Sequence, residues 1–213
     1  MTNVLALDVS TKTGWALFQD GKPKSWGTLF PDKTVKDFGK YPINFVLLAR
    51  YLVSQLMEQV IVPIMNELGT AIEVVIEETN ASKQNYSQKL LEYLHFCIVN
   101  TLDMYGISPK YIRTGEWRKY TDSKMSKEEK SLNAKIARIK KQTGKKLAKI
   151  DGKVVGKKGR KHVALRRTEE LLGIELMRKD EDAADALLLG LGYIKGAPIC
   201  DGTTQGRKSG KNE

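Results

Sequence analysis

The chain has 213 residues, 41% of them apolar, and a formal net charge of +11. That is enough for one ordinary domain with a sizeable core and an insertion, and it excludes global disorder. The apolar runs read as too short to span a bilayer, and Met1-Thr2-Asn3-Val4 lacks the pattern of a secretory leader, so neither membrane insertion nor secretion is expected.

Val4 to Asp8 alternate and are rich in β-formers; Thr13 to Gln19 read as a second strand after a turn built from Ser10, Thr11 and Lys12. Asp20-Gly21 is a hairpin signal, and Ser25 to Phe30 complete a three-stranded antiparallel meander. A long helix follows, with Pro42 in its first turn and Val46, Leu47, Tyr51, Leu52, Leu56, Val60 and Ile64 at helical spacing. Pro63 should kink or interrupt it near its end. Ile72 to Glu78 is a short apolar strand ending in acid. A second helix spans roughly Gln84 to Met104, with Leu90, Leu91, Leu94, Ile98 and Leu102 on one face. Gly106 ends it, and Lys110 to Arg113 make a fifth strand. The order βββ-α-β-α-β predicts an α/β fold with a mixed five-stranded sheet, three antiparallel strands followed by parallel additions, flanked by helices.

The composition then shifts. Between Lys110 and Glu170 stand 21 Lys and Arg against 7 Asp and Glu, a local excess of +14, while the rest of the chain sums to −3. Lysine-rich runs are often just solvated faces, but an excess this local is the footprint of a surface that binds phosphate backbones. Ser126 with Glu129 is a capping-box signature for a helix whose Leu132, Ile136 and Ile139 share a face. Leu147 to Ile150 and Lys153 to Val155, around Asp151-Gly152, read as a hairpin. Residues 124–160 are therefore expected to be a basic helix-plus-hairpin insertion in a domain spanning 1–196. A helix resumes from Lys161 to Leu172, a last one runs from about Asp180 to Tyr193, and 197–213 read as a disordered tail. Cys97 and Cys200 form no zinc pattern and fit a reducing cytoplasm, Cys97 as a small core residue. His95 reads as a core or interface residue, and His162 as a possible phosphate contact.

Five acids in three places draw attention as chemistry. Asp8 ends an apolar strand directly before a turn, where a carboxylate is exposed on a rigid backbone, although Asp is also an ordinary turn residue. Glu77 and Glu78 end another strand; adjacent residues face opposite sides, so one of the two can join Asp8. Asp182-Ala183-Ala184-Asp185 places two carboxylates on one helix face, with alanines that permit close approach to a sheet. The following Ala186-Leu187-Leu188-Leu189 implies a buried helix, whose carboxylates then need a partner.

Leu5-Ala6-Leu7-Asp8-Val9-Ser10-Thr11-Lys12-Thr13-Gly14-Trp15-Ala16 resembles the opening strand-turn-strand of RuvC-like Holliday junction resolvases, especially phage-type members. Val75-Ile76-Glu77 resembles their second acidic strand and Glu181-Asp182-Ala183-Ala184-Asp185-Ala186-Leu187 their C-terminal acidic helix, in the same order along residues 3 to 195. The resemblance implies an RNase H-like fold, a homodimer, the cytoplasm of a bacterium or infected host cell, and cleavage of four-way DNA junctions. It carries over Asp8, Glu77, Asp182 and Asp185 as the ligands, favouring Glu77 over Glu78. Four oxygen donors without His or Cys suit Mg²⁺, or Mn²⁺ in its place, as two ions about 3.5–4 Å apart.

Lys161 is the expected contact to the scissile strand or the transition-state charge, and so a catalytic candidate beside the four acids, with Lys12, Lys157, Lys158 and Arg160 as further DNA contacts. Cellular members place a wedging aromatic soon after the second acid; here that stretch is Thr79-Asn80-Ala81-Ser82, and Tyr86 is the first aromatic and the candidate wedge. The apolar helix at 84–104 is the expected dimer surface. Three rival readings remain: an RNase H-like nuclease for RNA–DNA hybrids or replication forks, an actin-like ATPase, and a non-catalytic DNA-binding protein. The ATPase would need a second phosphate loop, which this sequence lacks, and the presence of all four acids speaks against a decayed site.

Overall fold

The computed structural model describes residues 2–69, 71–78, 86–144 and 148–200. Its centre is a five-stranded sheet in the order β3-β2-β1-β4-β5, built from β1 (Asn3–Asp8), β2 (Gly14–Gln19), β3 (Lys22–Thr28), β4 (Ile72–Glu78) and β5 (Lys110–Arg113). β1 pairs antiparallel with β2 and parallel with β4, and β4 pairs parallel with β5, so the expected mixed sheet is what forms. Asp20 and Gly21 both take positive φ, 50° and 78°, as the tight β1-following hairpin between β2 and β3 requires.

β3 starts and ends earlier than its alternation suggests. Pro23 looks like a strand breaker, but β3 is an edge strand, and the ladder shifts register between Leu17 and Phe18 so that Pro23 sits opposite Phe18. Phe30 consequently lies beyond the strand and is exposed.

One face of the sheet carries α1 (Ile43–Leu56) and α3 (Tyr86–Met104) over a core of Leu5, Leu7, Val74 and Ile76. The face of α1 that is buried is Asn44, Phe45, Leu48, Ala49, Leu52, Val53 and Leu56, rotated from the expected stripe; Leu47 points outward. A helix apolar on most sides leaves the choice of face to the sheet it packs on. The rod is interrupted near its end, as Pro63 leads one to expect: a π-helical turn, Met57–Ile61, separates α1 from α2 (Val62–Leu68), which carries the proline in its first turn. By length and composition the 26-residue stretch Ile43–Leu68 could cross a membrane, contrary to the reading of its runs as too short, but half of its most apolar window is buried within the protein.

The other face carries α7 (Glu181–Ile194), with α4 (Thr114–Tyr120) and α6 (Arg160–Leu172) against it, over Val4, Ala6, Val75 and Ile112. α4 is a helix that periodicity did not reveal. α7 lies unusually deep: a Cβ on Gly190 would stand 2.4 Å from the Phe18 ring, and one on Gly192 2.8 Å from the Trp117 Cβ. At its start, a Cβ on Gly14 would fall 1.9 Å from the Asp182 carbonyl oxygen.

The insertion folds as expected into a helix and a hairpin: α5 (Lys127–Thr143), capped by Ser126 and Glu129, then β6 (Ala148–Ile150) and β7 (Lys153–Val155). Leu147 of the expected hairpin lies outside the described residues, as do Gln84, at the expected start of α3, and the Thr79–Ser82 stretch. Of the tail expected to be disordered from 197, residues 197–200 are instead fixed: Ala197 is buried and the Cys200 N–H donates to the Tyr111 carbonyl at 2.7 Å. The remainder, 201–213, lies outside the described residues.

Gly14→Ala is expected to destabilise the protein by about 3 kcal/mol, since the overlap is with backbone and not with a movable side chain. A urea midpoint unchanged from wild type would show that α7 can lift from β2 freely.

Candidate active site

Strand alternation decides which acids meet. Val4 and Ala6 of β1 face α7, so Asp8 does too; in β4 Val75 faces α7, so Glu77 follows it while Glu78 turns to the opposite side. The parallel register pairs Leu7 with Ile76, which sets Asp8 and Glu77 side by side at the same sheet edge. Glu78 is engaged elsewhere, accepting from Arg113 Nε at 3.0 Å and from the Cys200 thiol at 3.3 Å. Asp8 lies opposite Gly14, the residue that lets α7 approach, and the Ala183 N–H at the start of α7 donates to Thr28 Oγ1 of β3 at 3.2 Å. This docking delivers Asp182 and Asp185, three residues apart on the first turns of α7, to Asp8 and Glu77.

The electrostatics record the convergence. Burial pushes the Asp8 carboxyl well above its ordinary range, and the charges of Asp185, Glu77 and Asp182 push it further; Lys161 works the other way. Asp185 is raised to about 7, first by burial and then by Glu77 and Asp182, against the lowering effect of Arg118 and Lys161. Its Oδ1 is buried without a hydrogen-bond partner, with the Arg118 guanidinium 3.7 Å away. Asp182 accepts from Lys161 Nζ at 2.8 Å, and Glu181 lies 3.4 Å from the same ammonium. Burial opposes the charge on Lys161, but these two carboxylates outweigh it and raise its pKa.

These residues fit a hard divalent cation by their chemistry: oxygen donors alone, partly buried, with like charges that nothing else fully neutralises. Among the described residues, no three His, Cys, Asp or Glu side chains are already drawn tightly enough together to hold one ion. Lys161 holds Asp182, and α4 holds Glu77 and reaches Asp185 through Arg118. Glu77 accepts from Thr114 Oγ1 with one carboxylate oxygen and from Trp117 Nε1, at 2.8 Å, with the other.

Thr114, Trp117 and Arg118 are not legible in the sequence because α4 has seven residues and a single buried side chain, too little for a periodic signal. A tryptophan inside a polar stretch was the one available hint.

The expected DNA contacts are spread around the site. Lys161 alone reaches an acid of the quartet. Arg160 lines a small pocket together with Arg118 and Asp185. Lys157 is exposed, while the Lys158 backbone is clamped at both its N–H and its carbonyl by the Asn133 side chain, each bond 2.8 Å. Lys12 is exposed in the turn after Asp8, its ammonium 5.6 Å from the Phe30 ring centre. Tyr86, the candidate wedge, starts α3 with its ring edge-on to Phe45 at 4.2 Å and about half exposed. His95 is buried against Tyr111, and burial lowers its pKa to about 4. His162 does not stand free for phosphate: its Nε2 lies 3.4 Å from Glu129, which also holds Arg166. Cys97 is half-buried on α3 and not a full core residue.

No family model and no curated protein matches the sequence. Among solved structures it is similar to Thermus thermophilus RuvC in complex with a Holliday junction substrate, with a TM-score of 0.55, and to another Thermus thermophilus RuvC structure, with a TM-score of 0.53. Each is 12% identical, and each match covers 91% of this chain and 94% of that one. At this identity the likeness is one of fold: the mixed sheet and its flanking helices form the RNase H-like fold of RuvC.

The raised Asp185 pKa sets a sign for stability. The folded state binds its proton more tightly than the unfolded chain, so its contribution is fully present below about 4 and is lost as pH rises toward 7. Without divalent ions, Asp185→Asn should therefore gain stability over wild type between pH 5 and pH 8, by roughly 3 kcal/mol at 1.36 kcal/mol per pKa unit. Thermal melts at the two pH values test this; a variant that tracks wild type would show that Asp185 is relieved some other way.

Proposed function

We propose that this chain is a metal-dependent endonuclease that cuts four-way junctions or related branched DNA. The observation that carries the reading is the meeting of Asp8, Glu77, Asp182 and Asp185 at one edge of an RNase H-like sheet, with a cationic side chain already against Asp182. The RuvC likeness, which includes a structure holding a Holliday junction, supports the substrate class, and the strand-turn-strand around Asp8 supports a phage-type member.

Asp8, Glu77, Asp182 and Asp185 would hold two Mg²⁺ ions, with Mn²⁺ an effective substitute. When bound, such a pair would lower the pKa of an attacking water and stabilise the leaving 3′ oxygen of a phosphodiester; the resemblance to RuvC-like resolvases implies a 5′-phosphate product. The protein's own part is to hold four carboxylates on rigid elements, shield them from bulk water, and bring the phosphate to them. Lys161 is tethered at Asp182 and has three donors, so it can release one toward a phosphate oxygen without leaving the site. Lys12, Arg160 and the lysine-rich composition of the insertion supply the positive charge that would neutralise the DNA backbone and give binding a steep salt dependence.

A homodimer belongs to the same proposal. On the far face of the sheet from the acidic edge, an open groove of about 1120 Å³ lies between α1 and α3. It is bordered by exposed apolar side chains, Phe96 and Tyr41 among them, which favours burial against a second copy. Free thiols at Cys97 and Cys200 suit work in a reducing cytoplasm.

Asp8→Asn should abolish Mg²⁺-dependent cleavage of a synthetic four-way junction, by at least ~10³-fold, while leaving junction binding intact. A panel that also contains fork, RNA–DNA hybrid and plain duplex would show which substrate is preferred, and retained cleavage by the variant would sink the assignment.

Lys161→Ala should lower turnover more than junction affinity, because its contact is at the reacting phosphate. Equal losses in the two would reduce Lys161 to an ordinary backbone contact.

A further inference from the structure

Two carboxylates end β4, and α4 engages one of them. Thr114 opens α4 directly after β5, which lies beside β4, and its hydroxyl donates to Glu77 Oε1. Three residues on, Trp117 donates its indole N–H to Glu77 Oε2 at 2.8 Å. Trp117 is wholly buried, wedged at Gly192 of α7, where even a Cβ would stand 2.8 Å from its own Cβ. The Arg118 guanidinium lies 4.8 Å from the centre of the Trp117 ring and extends to Asp185. One short helix therefore grips Glu77 from both carboxylate oxygens and reaches the acid facing it on α7.

A ring fixed by packing on this scale has one rotamer, so the direction of its N–H is fixed too. Burying an indole N–H requires an acceptor, and Glu77 is that acceptor. A carboxylate oxygen has two lone-pair directions, so one hydrogen bond to each orients the group and still leaves capacity for a cation. Glu78, with Arg113 and Cys200 on the other side of the strand, receives neither donor.

We infer that Thr114 and Trp117 are positioning residues for Glu77, setting the plane of its carboxylate so that the free lone pairs face Asp8 and Asp185. The inference rests on the reading of Glu77 as a metal ligand given above. Partners that orient a ligand in this way typically contribute 10–100-fold to metal affinity.

The test is titration of the full-length chain with Mn²⁺ alone, by calorimetry, with no DNA and no turnover. Thr114→Val keeps shape and loses the hydroxyl, and should weaken Mn²⁺ binding by about 10-fold; Thr114→Ser, which keeps the hydroxyl, should restore it. Trp117→Phe should weaken binding similarly, and because it can also disturb packing its melting curve is read alongside. The two threonine variants decide if it fails to fold. In a Glu77→Gln background Thr114→Val should cost no further affinity, since its effect passes through Glu77. In ¹⁵N spectra the Trp117 indole resonance should move on addition of Mg²⁺, and an unmoved resonance in a chain that binds the ion would count against the positioning role. Wild-type binding with Thr114→Val unchanged, or with equal losses in both backgrounds, overturns the positioning role alone. A wild-type chain that binds no Mn²⁺ overturns the metal reading, and this inference with it.

Discussion

The N-terminal turn of α7 touches β2 backbone to backbone, at a place where position 14 has no room for a single side-chain carbon. The acidic edge depends on that contact. α7 brings Asp182 and Asp185; β1 and β4 bring Asp8 and Glu77; and the separation of the two pairs is set by how deeply the helix lies. Small residues along α7, Ala183, Ala184, Ala186, Gly190 and Gly192, extend the same intimacy down the helix, where Phe18 and Trp117 fill the matching hollows. The apolar seam is thus also the ruler of the polar site.

Such a site is unfavourable in isolation. Bringing carboxylates together in a partly buried edge costs free energy that the core must supply; burial first, and the neighbouring acids after it, raise the pKa values of Asp8 and Asp185. Nearby cations relieve it in part: Lys161 at Asp182 and Arg118 at Asp185. The positive segment therefore has two parts. The α6 end neutralises the acids, and α5 with its hairpin presents charge outward, joined to α6 through Glu129, which holds both Arg166 and His162. A surface for a polyanion and a cluster of acids can coexist in one small protein because these few pairs keep the two fields apart.

The antiparallel strands and their parallel additions, the insertion's helix and hairpin, and the Asp182–Asp185 pair were legible in the sequence because each has a strong local cause. Alternation, a capping box, an Asp-Gly turn with both residues at positive φ, and i, i+3 spacing do not need tertiary contacts to be read. What stayed hidden was decided by neighbours. Glu77 and Glu78 are equivalent in composition and differ only in which face their register gives them. The face of α1 was chosen by the sheet, since Leu47 and Leu48 are interchangeable until something packs on one of them. α4 had no periodicity to show, and its contribution comes from hydrogen-bonding groups whose acceptor lies 40 residues away in the chain.

The two rims of the sheet have a consequence of their own. β5 would offer an open row of amides and carbonyls, but the segment after α7 returns to it and Cys200 takes the Tyr111 carbonyl. β3, at the other rim, carries Pro23, a bulge and the paired charges of Lys22 and Lys24. Neither rim is a good template for strand addition, so the sheet is protected against the edge-to-edge growth that leads to aggregates and fibrils.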